Sequence, residues 1–225
     1  MDTVIKHRLY QVGASLAVAL FIISTAFVIT AHNRKIYKAA YEEYYNSRQG
    51  VDESGQELLS VFEATLNYEH LADGYSSFFQ GEYDFSGYKL CPDNESKIKE
   101  LKVYYRVAWI SIIISLVLVY KFFKELARRR TFGPLLYGGL LGALITTVNC
   151  FIILVSKSKT LTGIRNMILE ADYSYFSRED ILISIIPPDF ARYLLLAYIF
   201  TVFILIVGMA LIRWFIIYCG RPHRF

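Results

Sequence analysis

Hydrophobic positions in this chain gather into long uncharged blocks separated by polar stretches, instead of recurring singly with the period of a surface helix or strand. Leu9 to Ala31 gives 23 consecutive positions without Asp, Glu, Lys, Arg or His, Thr131 to Ser156 gives 26, and Tyr193 to Ile212 gives 20. A helix rising about 1.5 Å per residue needs about 20 such positions to cross roughly 30 Å of hydrocarbon, so each block predicts a membrane span. The fourth block, Val107 to Tyr120, has only 14. Its flanks extend it: Tyr104, Tyr105 and Trp109 at one end and Tyr120, Phe122 and Phe123 at the other suit the membrane interface, and Arg106 and Lys121 can snorkel. The pattern predicts an all-α integral membrane protein with four transmembrane helices at about 9–31, 103–123, 132–156 and 191–217.

The polar stretches carry patterns of their own. In the segment 32–102, Tyr37, Tyr41, Tyr44 and Tyr45 recur at helical spacing, which continues the first span as a helix with a packing stripe. Ser54-Gly55-Gln56-Glu57 has the form of a capping box, predicting a second helix with Leu58, Phe62 and Leu66 on one face and Gly74 at its end. The aromatic run from Gly74 to Pro92 suits a loop at headgroup level, and Asn94 to Lys102 reads as a polar helix entering the second span. Before the last span, Ser177 with Asp180 three residues on starts a short helix, 178–186, and Pro187 stops it. Pro188 then fits the first turn of the fourth span, so the expectation is a re-entrant or interfacial helix, a corner, and a transmembrane helix.

Charge orients this layout. Lys6 and Arg8, the loop 124–131 with its neighbour Lys121, and the tail bases Arg213, Arg221 and Arg224 all fall on one side of a four-span arrangement, which the positive-inside rule makes the cytoplasm, with both termini inside. Segment 32–102 carries 13 acids against 8 bases and is expected to form a helical extracellular domain; 157–190 forms a second outer loop. The formal net charge of +4 therefore follows from topology and points to no nucleic-acid partner. The first span is too long for the apolar core of a signal peptide and lacks a clear cleavage site, so it is expected to remain as an anchor. Cys91, Cys150 and Cys219 fall at three different levels, so no disulfide framework is expected. Asn94-Glu95-Ser96 is a glycosylation triplet, beside a Cys91-Pro92 turn.

Candidate chemistry is sparse. There is no phosphate loop, dinucleotide fingerprint, nucleophile elbow or zinc-protease helix, and no cofactor or metal is expected. Of the histidines, His7 and His223 fall on the cytoplasmic side and His32 and His70 on the outer side. His70 and Asp73, three apart on a helix, share a face; either the carboxylate orients the imidazole as a base, or the pair is a solvated helix end. Arg106 at the mouth of the second span and Arg165 in the second outer loop either bind a lipid phosphate or an acidic partner, or serve as interface anchors.

The four-span layout, the string Asp180-Ile-Leu-Ile183 followed by Pro187 and Phe190, the pair Asn67-Tyr68, and Glu100-Leu101-Lys102 before the second span together resemble the bacterial lipoprotein intramolecular transacylase (Lit) family. The resemblance in layout covers nearly the whole chain. It implies a Gram-positive plasma membrane and a reaction at the outer leaflet, in which an acyl chain moves from the diacylglyceryl group of a lipoprotein to the α-amine of its N-terminal cysteine. It also implies a structural role for Asp180, Pro187 and Pro188. The family uses two histidines, and at the matching places this chain has Lys97 and the Ile164-Arg165-Asn166 segment. An arginine is always protonated and cannot serve as a base; a lysine serves only if burial lowers its pKa, which makes Lys97 and Lys102 candidates beside His70. Three readings follow. The chain is a Lit-like scaffold without catalysis that binds a lipid, a diacylated lipoprotein or another membrane protein; or it is a divergent acyltransferase with Arg165 or Arg106 holding the oxyanion; or it is an unrelated accessory subunit of a membrane complex.

Overall fold

The computed structural model describes residues 3–51, 57–76, 92–128, 131–155, 164–166, 168–169, 186–187 and 189–219. Six helices are named among them: α1 (Thr3–Ala31), α2 (Arg34–Ser47), α3 (Val61–Ser76), α4 (Pro92–Arg128), α5 (Gly133–Val155) and α6 (Phe190–Cys219). Helices α1, α4, α5 and α6 are long and apolar enough to cross a membrane, as the four uncharged blocks predict. The chain divides into two units. One is Met1–Val28, Ala108–Cys150 and Tyr198–Phe225; the other is Ile29–Val107 and Phe151–Ala197.

In the first unit, small side chains let helices approach closely, which is how packing is gained where no water is expelled. Ala14, Ala17, Val18, Ala19, Ile22 and Ala26 form the buried face of α1. Gly138 of α5 lies so near this face that an added Cβ would stand 2.5 Å from the Val18 Cβ and 2.8 Å from the Ser15 carbonyl oxygen. Its neighbour Gly139 meets Ile206 of α6 in the same sense, at 3.2 Å. Val18, Ile22, Ala26, Leu135 and Val202 make the core, with Val119 and Phe123 of α4 against it. The outward faces carry large apolar residues such as Leu16, Ile113, Leu140 and Phe203, the reverse of a water-soluble bundle.

The second unit is built on tyrosines. Helix α1 does not run on into α2; it stops at Ala31, and the Asn33 side chain accepts a hydrogen bond from the Lys35 N–H at 3.1 Å, capping a new helix. Along α2, Tyr37, Ala40 and Tyr41 are buried, so the tyrosine spacing does mark a packing stripe. The helix ends where Gln49 (φ 55°) and Gly50 (φ 78°) turn left-handed, and the Gly50 N–H donates back to the Tyr45 carbonyl at 3.0 Å. The chain then reverses through a bridge between Val51 and Glu57, and the Leu58 N–H donates to the Gly50 carbonyl at 2.8 Å.

Helix α3 begins later than the sequence suggests. Glu57 pairs in the bridge, and the working capping box is Ser60 with Glu63: the Glu63 N–H donates to the Ser60 hydroxyl, and the Ser60 N–H and hydroxyl both donate to the Glu63 carboxylate. Leu58 accordingly lies before the helix, Phe62 and Leu66 are exposed, and the buried face is Ala64, Tyr68, Leu71 and Ala72. Nor does Gly74 end the helix, which continues to Ser76. Helix α4 starts at Pro92, whose missing N–H costs nothing in a first turn, and runs from its polar start through its apolar stretch without a break. Asn94 is fully buried, so the Asn94-Glu95-Ser96 triplet offers no accessible glycan acceptor. The expected short helix 178–186 lies outside the described residues except for Ile186, which sits in a bend.

Candidate functional site

Helix α4 carries one inward stripe, Asn94, Ile98, Lys102, Tyr105, Ala108, Ile112 and Ser115, all buried and spaced three or four apart. Ile98 belongs to the tyrosine core of the second unit. One turn further along the same stripe stands Lys102, a lysine only 9% exposed, and one turn beyond that is half-buried Arg106. Two long cationic side chains thus lie in register at the inner side of one helix. Lys97 is half-buried on α4, while the next lysine, Lys99, is exposed and paired with Glu95 at 2.8 Å.

The core beside this stripe joins residues far apart in sequence. The rings of Tyr37 and Tyr68 stack at 3.9 Å, and the Phe190 ring packs edge-on to both, at 5.5 and 5.4 Å. Tyr68 comes from the Asn67-Tyr68 pair and Phe190 from the end of the string that begins at Asp180, so two separate family-like motifs meet in one aromatic cluster. Pro187 is fully buried beside it, and its carbonyl accepts the Phe190 N–H at 3.0 Å, which fixes the start of α6. Asp180 and Pro188 lie outside the described residues. One turn into α6, the Tyr193 hydroxyl donates to the Glu43 carboxylate of α2.

The histidine pairing suggested by the sequence does not form. Arg34, at the start of α2, reaches Asp73 at 3.0 Å and Glu69 at 3.2 Å, so the carboxylate that would orient His70 is engaged by a guanidinium. Among the described residues His70 makes no hydrogen bond, and it is exposed on α3. Arg165 is half-buried in the helical segment 164–166. Tyr41 donates its hydroxyl to the Leu59 carbonyl at 3.1 Å, and burial pushes its pKa up to about 12, so it stays a neutral donor and no base. Among the described residues no three His, Cys, Asp or Glu side chains are grouped to hold a metal ion.

Sequence reasoning named Lys102 and Arg106 as candidates, which lie together on the α4 stripe, and did not name Arg34, Glu43 and Tyr193. Their pairing crosses helices, and only the α3 spacing of Glu69 and Asp73, four apart and both acidic, hinted that a cation belongs between them.

No family model matches the chain, and neither does any curated protein. Solved structures do. The membrane-integral lipoprotein intramolecular transacylase Lit from Bacillus cereus superposes with a TM-score of 0.74 at 15% identity, covering 96% of this chain and 98% of that one. Two variants of the same protein, with a histidine replaced by arginine or by alanine, superpose with a TM-score of 0.77, covering 96% of this chain and 94% and 96% of theirs. With four helices long and apolar enough to cross a membrane, this chain is an all-helical membrane protein with the fold of Lit.

Proposed function

We propose that this protein sits in a Gram-positive plasma membrane with both termini in the cytoplasm, and binds a diacylated lipoprotein or its diacylglyceryl moiety at the outer leaflet without turning it over. The acid excess of 32–102 and the bases of the opposite loops support that orientation. The observation that carries the binding reading is Lys102, buried on the inner stripe of α4 with Arg106 one turn on, in the place where the resemblance sets the family's own lysine. Cations in such a place suit the ester carbonyls or phosphate of a lipid, because charge-assisted hydrogen bonds gain strength where water is excluded. Degenerate catalysis is supported by Lys97 and Arg165 standing where the family has histidines, and by the loss of Asp73 to Arg34 beside the one outer-unit histidine on a described helix face, His70.

A second reading, intramolecular acyl transfer, is favoured by the burial of Lys102, the condition under which a lysine can work as a base. The α-amine would attack the ester carbonyl, Lys102 would take the amine proton, and the C–O bond to the glycerol would break, the proton passing to the glyceryl oxygen. Arg106 or Arg165 would hold the oxyanion.

The test mixes the purified full chain with a peptide carrying an S-diacylglyceryl cysteine. The binding reading expects retention of the peptide, a loss of about tenfold or more in Lys102→Met, since a hydrogen bond to a charged group is worth about 1.5–3 kcal/mol, and an unchanged α-amine by mass. Recovery of an N-acylated lyso peptide overturns it in favour of the second reading, and absence of retention overturns both.

A further inference from the structure

Within the first unit, a cavity of about 260 Å³ opens between α1 and the last turns of α4, lined by Tyr10, Leu118, Lys121, Phe122, Lys124, Glu125 and Arg128. None of these residues belongs to the site described above. We propose that this cavity binds the headgroup of an anionic phospholipid.

The lining is amphiphilic in the order a lipid requires. Leu118, Phe122 and Tyr10 make the apolar floor, where the Tyr10 and Phe122 rings meet edge-on at 5.9 Å, and the cations follow toward the end of α4. Three bases against one acid leave the cavity net cationic. Glu125 reaches Arg128 at 3.5 Å, whereas among the described residues neither Lys121 nor Lys124 is in an ion pair. Among the described residues the two lysines thus have no anionic partner of the kind a phosphate would supply. The cavity is smaller than the roughly 300–1,000 Å³ of sites that enclose a drug-sized molecule, which suits a phosphate and its polar ester while the acyl chains stay outside. Next to it, α4 exposes Ile113, Leu116, Val117 and Tyr120, an apolar face along which those chains can lie. Near an anionic membrane surface each Lys or Arg adds attraction for an anionic headgroup, so two lysines predict roughly a tenfold to thirtyfold preference over a zwitterionic lipid.

The experiment incubates the full-length protein in detergent with phosphatidylglycerol, phosphatidylcholine or inorganic phosphate, and counts retained molecules by native mass spectrometry. The expected result is selective retention of phosphatidylglycerol, lost at least tenfold in the double variant Lys121→Gln/Lys124→Gln. Glu125→Gln, which removes the competing carboxylate, should raise retention, so the proposal does not rest on loss variants alone. Equal retention of both lipids, unchanged retention in the double variant, or displacement of phosphatidylglycerol by millimolar inorganic phosphate would each overturn it.

Discussion

Gly138→Ala is the sharpest probe of the packing between α1 and α5. The new Cβ would lie 2.5 Å from the Val18 Cβ and 2.8 Å from the Ser15 carbonyl oxygen, where ordinary carbon contacts are about 3.5–4.0 Å, so the two helices must part by about 1 Å. A side chain can turn away, but the Ser15 carbonyl belongs to the α1 backbone and cannot. Overpacking of this kind costs roughly 1–3 kcal/mol, partly offset by about 0.5–1 kcal/mol of helix propensity gained on replacing glycine. Gly208 of α6 supplies the control, because a Cβ there meets nothing within 4 Å and Gly208→Ala should show only the propensity gain. Gly139→Ala should fall between them, its nearest contact being the movable Ile206 side chain at 3.2 Å. Unfolding by sodium dodecyl sulfate in mixed micelles, followed by far-UV circular dichroism, ranks the three. Gly138→Ala should lie about 1–3 kcal/mol below Gly208→Ala. If the two are equally stable, the close approach of α1 and α5 is wrong.

Three further outcomes are expected. The Tyr41 pKa rises from 10.0 to about 12 because burial disfavours the phenolate, so the stability tied to its proton is fully present below pH 10 and is lost as pH rises through 12, by roughly 3 kcal/mol in all; Tyr41→Phe should flatten that stretch of the stability curve. Ser60→Ala should weaken the start of α3 by about 1 kcal/mol, seen as faster hydrogen exchange of its first-turn amides, whereas Ser54→Ala should leave them unchanged. Tyr37→Ala should destabilise the second unit by roughly 3–5 kcal/mol, because its ring is fully buried between Tyr68 and Phe190, while Tyr37→Phe should keep most of the stacking; thermal unfolding in detergent separates the two.

The four long helices were legible because uncharged length is a local property that the bilayer dimension sets. The tyrosine stripe of α2 was legible for the same reason, since helical spacing needs no knowledge of the partner. The start of α3 was not. Two capping-box patterns, Ser54 to Glu57 and Ser60 to Glu63, lie six residues apart, and the choice falls to the left-handed turn at Gln49 and Gly50, which draws Glu57 into a bridge with Val51. The fate of Asp73 was hidden in a similar way: its spacing from His70 is real, but Arg34 on another helix offers a full charge where the imidazole offers a hydrogen bond. The meeting of Tyr68 with Phe190 rests on tertiary packing alone. Lys102 could have been placed inward from the spacing of Asn94, Ile98 and Tyr105, had the polar start of α4 been read as the same stripe as its apolar continuation.

The central proposal, a Lit fold used for binding without turnover, meets its most direct test in the lipoproteins of a Gram-positive host lacking its own N-acylating enzymes. The full chain is expressed there and the N-terminal lipopeptides are weighed by mass spectrometry. The account predicts diacylglyceryl cysteine with a free α-amine, as in cells without the protein; an N-acylated lyso form that appears only when the protein is made would contradict it.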